Sequence, residues 1–323
     1  VCSIIWLISL VSLVSSSYDH YVLAEDGHLT ELMTDEFEQL NLSHAPRIVH
    51  ANNADEALEL MKKWRFDLII TMIRVGNMTA EEFGRNAKKI LPNTEVVLLT
   101  HNSRELASIK TSEAIDRIFV WSGNSQLMVA IIKLVEDERN VAHDIRIGNI
   151  PVLLLVEDSS RFFSSYLPQL YEEILTQTRR VIGEGLSFKQ TMKRLRARTK
   201  VLHATTMEDA IAYVESYGRN LIGLITDAGF PAMNRKDFQA GLSLIERVRE
   251  RFPNLPVLMQ STEQNNMLPA IELGAEFLHK NNPNLLSELQ NFLQYKLGFG
   301  DFIFRLPDFT EIGRASSIEE LIF

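Results

Sequence analysis

The chain has 323 residues, a length that fits two domains of roughly 100–200 residues each. Apolar residues make up 46% of it and charged residues 23%, as is typical of a globular α/β protein with a buried core. The formal net charge of −9 argues against nucleic acid as a partner. The single cysteine, Cys2, excludes an internal disulfide and a cysteine-based metal site, which fits a cytoplasmic location.

An apolar run, VCSIIWLISLVSLVSS, opens the chain at residues 1–16. It lacks the basic residues that precede the apolar core of a signal sequence, and it is shorter than the roughly 20 helical residues that span a bilayer. A buried β-strand is therefore the favoured interpretation, and we expect no association with a membrane. Because the chain begins with Val1 rather than Met, we expect a fragment of a larger protein.

Three apolar segments occur twice along the chain in the same order, a pattern that indicates an internal repeat. In the first pair the apolar strand stops at short polar residues, and in the third pair a Pro-Asn dipeptide precedes a strand that ends in a hydroxyl residue. The pairs are VSLVSSSYD (11–19) with LLLVEDSSR (153–161), DLIITM (67–72) with LIGLITD (221–227), and LPNTEVVLLT (91–100) with FPNLPVLMQS (252–261). The matches predict two copies of one domain.

Helical patterns lie between these segments, each preceded by residues suited to cap a helix. They are Asp55–Lys63 after Asn52 and Asn53, and Glu208–Ser216 after Thr205 and Thr206. Apolar strands alternating with helices predict an α/β fold with two flavodoxin-like, doubly wound, five-stranded parallel sheets in tandem. The boundary falls near Val141–Asn149, a polar stretch. Ligands of such sheets bind beyond the carboxyl ends of the strands.

Three carboxylates end strands of the second copy: Glu157 and Asp158 follow its first strand, and Asp227 follows its third. Together at one sheet edge they would repel one another without a cation, and Mg²⁺ suits because it is hard and prefers oxygen ligands. Asp227 is then a candidate nucleophile toward a phosphoryl group. Ser261, at the end of the fourth strand, and Lys280, just past the fifth, are suited to bind phosphoryl oxygens.

Residues 150–296 resemble a response-regulator receiver domain, because the family's acidic pair, phosphoacceptor, switch hydroxyl and lysine match these five residues in order. By the same resemblance, the aromatic switch residue is Phe277, and a third metal contact comes from the backbone carbonyl of Gly229. The resemblance implies a phosphorelay module rather than an enzyme, phosphorylated on Asp227 with Mg²⁺ as cofactor. It also implies a histidine kinase or phosphotransfer protein as partner, and a homodimer through the face around residues 265–295.

Residues 1–140 form the other predicted domain, and residues 8–138 resemble the same family with the chemistry missing. The acidic pair and the phosphoacceptor are replaced by residues that cannot hold a metal or accept a phosphoryl group, while the hydroxyl is kept. The residues at these positions are Ser15, Ser16, Met72 and Thr100. This copy is therefore predicted to be a degenerate pseudo-receiver that packs against or binds a partner.

The lysine position of the first copy falls near Val120 or Trp121, within a stretch, 111–132, that contains no lysine. Asp19 and Asp26 come after the strand end, so we do not expect them to substitute as metal ligands. Without the carboxylates and the lysine, nothing in this copy is suited to hold Mg²⁺ or phosphate.

A long segment separates the acidic pair of the second copy from its next strand at Val201. It predicts an extended first helix or a helical hairpin, with an insertion at about 173–194 broken near Gly183 and Gly185. The basic residues of this region are Arg179, Arg180, Lys189, Lys193, Arg194, Arg196, Arg198 and Lys200. Two interpretations stay open, a docking surface for an acidic partner or another protomer, and a solvated helix face. Nucleic-acid binding is not expected, because no binding motif accompanies the run.

The last predicted segment, 297–323, reads LGFGDFIFRLPDFTEIGRASSIEELIF. Asp301–Arg305 is strand-like, Leu306–Asp308 is a turn, and Ser317–Glu320 has the form of a capping box. Following a double receiver, this pattern is similar to the regulatory N-terminus of phosphoenolpyruvate-synthase-like proteins with a pyruvate/phosphate dikinase region. That resemblance implies a catalytic domain past Phe323, which the receiver would regulate.

Three rival functions are weighed against the signalling module. An aspartyl phosphatase commonly needs a second acid two residues past the nucleophile, where this chain has Gly229. A nucleotide-dependent oxidoreductase lacks its G-x-G-x-x-G after either first strand. A scaffold that is never phosphorylated would not respond to beryllofluoride or acetyl phosphate, so a titration separates it from a receiver.

Overall fold

The computed structural model describes residues 7–23, 31, 34, 37, 45–101, 112–180, 197–307, 310–316 and 320. The chain forms two compact units, each with its own parallel sheet. The first unit is formed by Cys2–Glu136 and Ser160–Pro168, and the second by Asp137–Ser159 and Gln169–Phe323. No helix among the described residues combines the length and the apolar character needed to cross a bilayer.

Strands and helices alternate along the first unit. Its strands are β1 (Leu10–Val14), β2 (Arg47–Ala51), β3 (Leu68–Met72), β4 (Arg74–Val75), β5 (Met78–Thr79), β6 (Glu95–Thr100) and β7 (Arg117–Val120). Its helices are α1 (Ser17–Leu23), α2 (Ala54–Lys63), α3 (Ala80–Ile90) and the beginning of α4 (Gln126–Gly148). Within the described residues, its main sheet has five parallel strands in the order β2-β1-β3-β6-β7.

The second unit repeats this alternation. Its strands are β8 (Val152–Val156), β9 (Lys200–Ala204), β10 (Leu221–Asp227), β11 (Phe230–Ala232), β12 (Arg235–Asp237), β13 (Val257–Ser261), β14 (Glu276–His279), β15 (Phe302–Arg305) and β16 (Glu311–Ala315). Its helices are the later part of α5 (Ser160–Arg180), then α6 (Met207–Tyr217), α7 (Ala240–Arg251), α8 (Met267–Glu272) and α9 (Leu285–Asn291). Short 3₁₀ turns lie at Gly218–Asn220 and Gln264–Asn266, and a π-helical turn lies at Phe292–Lys296.

The main sheet of the second unit has the order β9-β8-β10-β13-β14, with all neighbouring strands parallel. In both units the first strand of the sheet lies between the second and the third, which is the flavodoxin-like order. The predicted α/β fold with two doubly wound, five-stranded parallel sheets is therefore confirmed. The strand after β8 lies on one side of it and β10 lies on the other, so the strand order reverses between β8 and β10. The expected ligand position of the second sheet is at the carboxyl ends of these two strands.

The sheets lie in the core because several of their strands are mainly apolar and are buried along their whole length. Every residue of β3, β8 and β13 is buried, as expected for parallel strands covered by helices on both faces. Helix caps fix where the chain turns from strand to helix. Asn53 accepts the N–H of Glu56 at the start of α2, and Thr206 accepts the N–H of Asp209 at the start of α6. Both are among the predicted caps, and each contributes about 1 kcal/mol.

The extended first helix of the second copy is α5, which is 21 residues long and contains Pro168. It covers the beginning of the insertion predicted at about 173–194, whereas residues 181–196 lie outside the described part of the chain. The polar stretch at Val141–Asn149 is helical as far as Gly148, and Asn149 follows with a positive φ of 51°. Near the end of the chain, β15 and β16 pair antiparallel.

Two residues of the basic segment are buried, and neither interpretation of that segment fits them. Arg198 donates from both terminal nitrogens to Asp137, at 2.7 and 2.8 Å, and Lys200 lies 2.9 Å from Asp144. Asp137 also accepts a hydrogen bond from the Tyr171 hydroxyl at 2.9 Å. Arg198 and Lys200 therefore belong to a buried ion-pair network rather than to a docking surface or a solvated helix face.

Candidate functional site

The ends of β8 and β10 bring three carboxylates together in the second unit. Because these strands are parallel neighbours, Glu157 and Asp158 after β8 lie at the same sheet edge as Asp227, the last residue of β10. One carboxylate oxygen from each lies within 4.8 Å of the other two. Among the described residues, no other group of three potential metal ligands meets this criterion. We refer to these three residues as the acidic pocket.

Lys280 follows β14 and reaches into the acidic pocket. Its Nζ lies 2.6 Å from Glu157 Oε2 and 2.8 Å from Asp227 Oδ1. The Lys280 side chain is only 3% exposed and that of Glu157 1%, so the ammonium is buried together with this partner, whereas Asp227 is 13% exposed. A buried charge of this kind is stable only when it is paired, which ties the lysine to the pocket.

Burial raises the pKa of Glu157 to about 7, with Lys280 opposing this rise and the carboxylate of Asp227 reinforcing it. The N–H of Ser159 donates to Glu157 Oε1 at 3.0 Å and orients the side chain. A carboxyl group with this pKa is protonated in part at neutral pH, unless more positive charge enters the pocket.

Asp158 is the most exposed member of the pocket, and its partner is a residue that sequence reasoning missed. Lys236 Nζ lies 2.5 Å from Asp158 Oδ2, with the two side chains 43% and 22% exposed. Lys236 belongs to β12, which pairs with β11 in a hairpin directly after Asp227. The sequence carries little signal for it, because a lysine in a short polar stretch resembles any solvated residue.

Ser261 ends β13, next to β10 in the sheet, as predicted. Its Oγ accepts hydrogen bonds from the N–H of Glu263 at 3.0 Å and from Nδ2 of Asn266 at 2.9 Å. The hydroxyl hydrogen is therefore left to donate elsewhere. Phe277 lies in β14, partly buried, and lines a cavity of about 280 Å³ together with Tyr295.

Close backbone approach fixes the region after Asp227. A Cβ on Gly241, at the start of α7, would lie 2.2 Å from the carbonyl oxygen of Asp227, so only glycine fits at this position. The Gly241 N–H donates to the carbonyl of Ala228 at 2.9 Å. Gly229, the predicted backbone metal contact, lies between β10 and β11, against the backbone of Phe238.

The donor set of the acidic pocket consists of carboxylate oxygens, which suits a hard divalent cation such as Mg²⁺. Three carboxylates face two ammonium groups, Lys280 and Lys236, and the second of these is largely exposed. The chemistry and the charge of these residues thus fit Mg²⁺.

The first unit repeats the backbone frame of this site. In both units a histidine Nε2 contacts the carbonyl of the first acidic-pair position, a threonine hydroxyl donates to the carbonyl of the phosphoacceptor position, and the amide at the lysine position donates to the carbonyl of the hydroxyl position. These contacts are His203–Glu157 (2.8 Å), Thr226–Asp227 (2.9 Å) and Lys280–Ser261 (2.9 Å) in the second unit, and His50–Ser15 (3.1 Å), Thr71–Met72 (3.2 Å) and Trp121–Thr100 (2.8 Å) in the first.

These matches place Trp121, rather than Val120, at the lysine position of the first unit. Ser15 there accepts or donates a hydrogen bond with His50, whose ring stacks on His20 at 3.9 Å between centroids. Asp19, considered as a substitute ligand, lies in α1 and accepts a hydrogen bond from Ser16. Asp26 lies outside the described residues.

No protein-family model matches the chain, and no curated protein matches it. Among solved structures, it is similar to the chemotaxis response regulator CheY4 of Vibrio cholerae, at 18% identity over 40% of this chain and 99% of that chain, with a TM-score of 0.32. It is also similar to a response regulator receiver domain protein from Clostridium thermocellum, at 14% identity over 42% of this chain and 99% of that chain, with a TM-score of 0.31. A response regulator from Burkholderia pseudomallei, with a phosphorylated aspartic acid, calcium ion and citrate, matches at 14% identity over 60% of this chain and 94% of that chain, with a TM-score of 0.29.

Proposed function

We propose that the second unit is a receiver that accepts a phosphoryl group on Asp227 in a cytoplasmic phosphorelay. The observation that carries the proposal is the acidic pocket, whose carboxylates lie within 4.8 Å of one another with Lys280 bridging Glu157 and Asp227. Three carboxylates and a buried ammonium cost free energy to bring together, and they lie at the edge of the sheet where ligands bind. Both facts favour a binding role over a purely structural one.

Each residue then has a chemical role. A carboxylate oxygen of Asp227 attacks the phosphorus of a phosphohistidine, the phosphorus–nitrogen bond breaks, and the leaving imidazole takes a proton from solvent. Lys280 Nζ, already 2.8 Å from Asp227, neutralises charge that develops on the phosphoryl oxygens. Ser261 donates its hydroxyl hydrogen to one of these oxygens. Glu157, Asp158, Asp227 and the Gly229 carbonyl would hold Mg²⁺, which would supply further charge neutralisation.

The test is incubation of the chain with acetyl phosphate and Mg²⁺, followed by intact-mass measurement. The mass of a receiver should rise by one phosphoryl group with Mg²⁺ present, and it should not rise when a chelator replaces Mg²⁺. A scaffold shows no change in mass under either condition, and that result would overturn the proposal.

The natural donor in this proposal is a histidine kinase or a phosphotransfer protein, and the first unit is a pseudo-receiver that does not take part in the chemistry. Ser15, Ser16, Met72 and Trp121 at the matching positions support this, because none of them is a carboxylate or an ammonium. The output in this proposal is a change in the binding of a partner protein.

Mg²⁺ affinity should depend on pH through Glu157. The metal binds the ionised carboxylate, whereas the raised pKa of about 7 keeps the group largely protonated at pH 6. We expect the apparent affinity to fall about tenfold between pH 8 and pH 6, since roughly a tenth of the group is ionised one unit below its pKa. Calorimetric titration at both pH values measures the affinity for Mg²⁺. The proton that Glu157 releases on metal binding is taken up by the buffer, and the heat of this transfer is a second signal. Equal affinity at both pH values would show that Glu157 does not titrate in this range.

The face around residues 265–295 is the proposed surface for self-association. Apolar side chains are exposed on α8 and in the π-helical turn, including Leu268 (70%), Ile271 (49%) and Tyr295 (52%). The cavity beside Phe277 gives that ring space to move when Ser261 turns toward a phosphoryl group. We propose that this movement reshapes the face and favours a homodimer.

Beryllofluoride with saturating Mg²⁺ should strengthen self-association about tenfold, equivalent to about 1.4 kcal/mol, measured by sedimentation. Phe277→Ala should remove this response without preventing phosphorylation. Phe304 is an exposed aromatic residue on β15, and Phe304→Ala should leave the response to beryllofluoride unchanged. Hydrogen exchange over residues 265–295 gives a second measurement. If beryllofluoride leaves both measurements unchanged, the signal does not leave through this face.

A further inference from the structure

The hairpin formed by β11 and β12 holds a lysine against the acidic pocket. Lys236 pairs with Pro231 across the hairpin, and the turn between the strands is made by Met233 and Asn234, which both have positive φ, 50° and 60°. A two-residue turn with both φ positive matches the twist of a hairpin, so the strand carrying Lys236 has a defined register.

Two contacts hold the hairpin in place. Phe230, the first residue of β11, is completely buried in the core of the second unit. At the tip, the N–H of Met233 donates to Glu208 Oε1 at 2.7 Å, which ties the turn to the first turn of α6. Lys236 therefore reaches Asp158 from a fixed strand, and the ion pair does not depend on a freely moving loop.

The two lysines of the pocket differ in burial. Lys280 and its partner Glu157 are 3% and 1% exposed, whereas Lys236 and Asp158 are 43% and 22% exposed. A buried pair is costly to separate, but an exposed pair contributes little and is screened by salt. Lys236 is thus the cation that can leave, and water can replace Asp158 around its ammonium.

We propose that Lys236 occupies the place of the divalent cation at Asp158 in the metal-free protein, and that Mg²⁺ binding displaces it. This inference rests on the proposed function, because it requires Asp158 to be a metal ligand. An ammonium 2.5 Å from Asp158 Oδ2 and a dication bound to the same carboxylate repel each other strongly at such distances. The lysine therefore lowers the affinity for Mg²⁺, and metal binding frees the side chain of Lys236 for an incoming phosphoryl group or partner.

Removal of the lysine should strengthen metal binding. We expect Lys236→Met to raise the affinity for Mg²⁺ about three- to tenfold, which exceeds the effect of a distant surface charge. Lys236→Arg keeps the charge and should keep an affinity close to that of the unchanged chain. The matched control is Arg235→Met, which removes the same charge from the neighbouring position of β12, where strand alternation directs the side chain to the opposite face.

The experiment is calorimetric titration of the full chain and the three variants with MgCl₂ at low and at physiological salt. The lysine ε-methylene signals are followed in parallel by NMR, and Mg²⁺ should shift a signal that is present in the unchanged chain and missing in Lys236→Met. Tighter binding in Lys236→Met alone supports the inference, as does binding that appears only in that variant. If the unchanged chain binds Mg²⁺ and Lys236→Met binds equally or more weakly, the inference is wrong while the proposed function stands. If neither binds Mg²⁺, both are wrong.

Discussion

Asp227→Asn should leave the chain unable to gain a phosphoryl group from acetyl phosphate, with Mg²⁺ present in excess. The amide keeps the shape of the side chain but removes the nucleophilic oxygen, so loss of the mass gain should be complete. The neighbouring acids are poor substitutes. Glu157 is almost fully buried and has a pKa of about 7, and Asp158 is a ligand of the cation in the proposed site.

Asp237→Asn provides the matched control for this variant. Asp237 ends β12 close to the pocket in sequence, is exposed, and accepts a hydrogen bond from the N–H of Gln239. Its loss should leave phosphoryl incorporation unchanged. If Asp227→Asn still gains a full phosphoryl group, another residue is the acceptor, and peptide mapping of the labelled chain will identify it.

Asp137→Asn should destabilise the second unit by about 3–5 kcal/mol, the cost of removing one partner from a buried ion pair. Asp137 is completely buried, and it accepts hydrogen bonds from Arg198, Tyr171 and the N–H of Val201. Burial alone would raise the pKa of Asp137, but Arg198 and Lys200 outweigh it and lower the pKa. The network therefore stabilises the fold above the ordinary pKa of a carboxyl group, and this contribution is lost as the pH falls through the lowered value.

Urea unfolding measures the change in the free energy of unfolding of the whole chain. Because a chain of two units need not unfold in one step, hydrogen exchange of the Val201 amide measures the local change in stability. Glu59→Gln is the control, because the pair of Glu59 with Lys62 is exposed to solvent and its loss should leave the stability nearly unchanged. A loss below about 1 kcal/mol for Asp137→Asn would mean that Arg198 and Lys200 find water or other partners when Asp137 is removed.

The positions of Glu157, Asp227 and Lys280 could be predicted from the sequence because each follows an apolar strand. A parallel sheet brings the ends of its strands to one edge, so residues more than 100 positions apart become neighbours once the strand order is known. The caps Asn53 and Thr206 were predictable for a local reason, since each bonds to an amide three residues later.

The residues that escaped prediction act over long range and lack a local pattern. Lys236 contacts Asp158, 78 positions away, through a hairpin whose turn residues, Met233 and Asn234, give only a weak signal. Arg198 contacts Asp137, 61 positions away, and in the sequence it looks like one more charge in a basic run. Arg198 is buried and Lys236 is partly exposed, and this difference depends on the tertiary fold, which a single basic residue in the sequence does not reveal.

The backbone contacts shared by the two units involve main-chain carbonyls with histidine, threonine and amide donors. They exist in the first unit although Ser15, Ser16, Met72 and Trp121 occupy the positions of the carboxylates and the lysine. The fold of the first unit therefore does not require the carboxylates and the lysine of the acidic pocket. Clustered like charges repel one another, so a unit that has the same strand order without these carboxylates lacks one source of instability. Comparison of the two units therefore separates the strand order, which they share, from the repulsion between the pocket carboxylates, which only the second unit has.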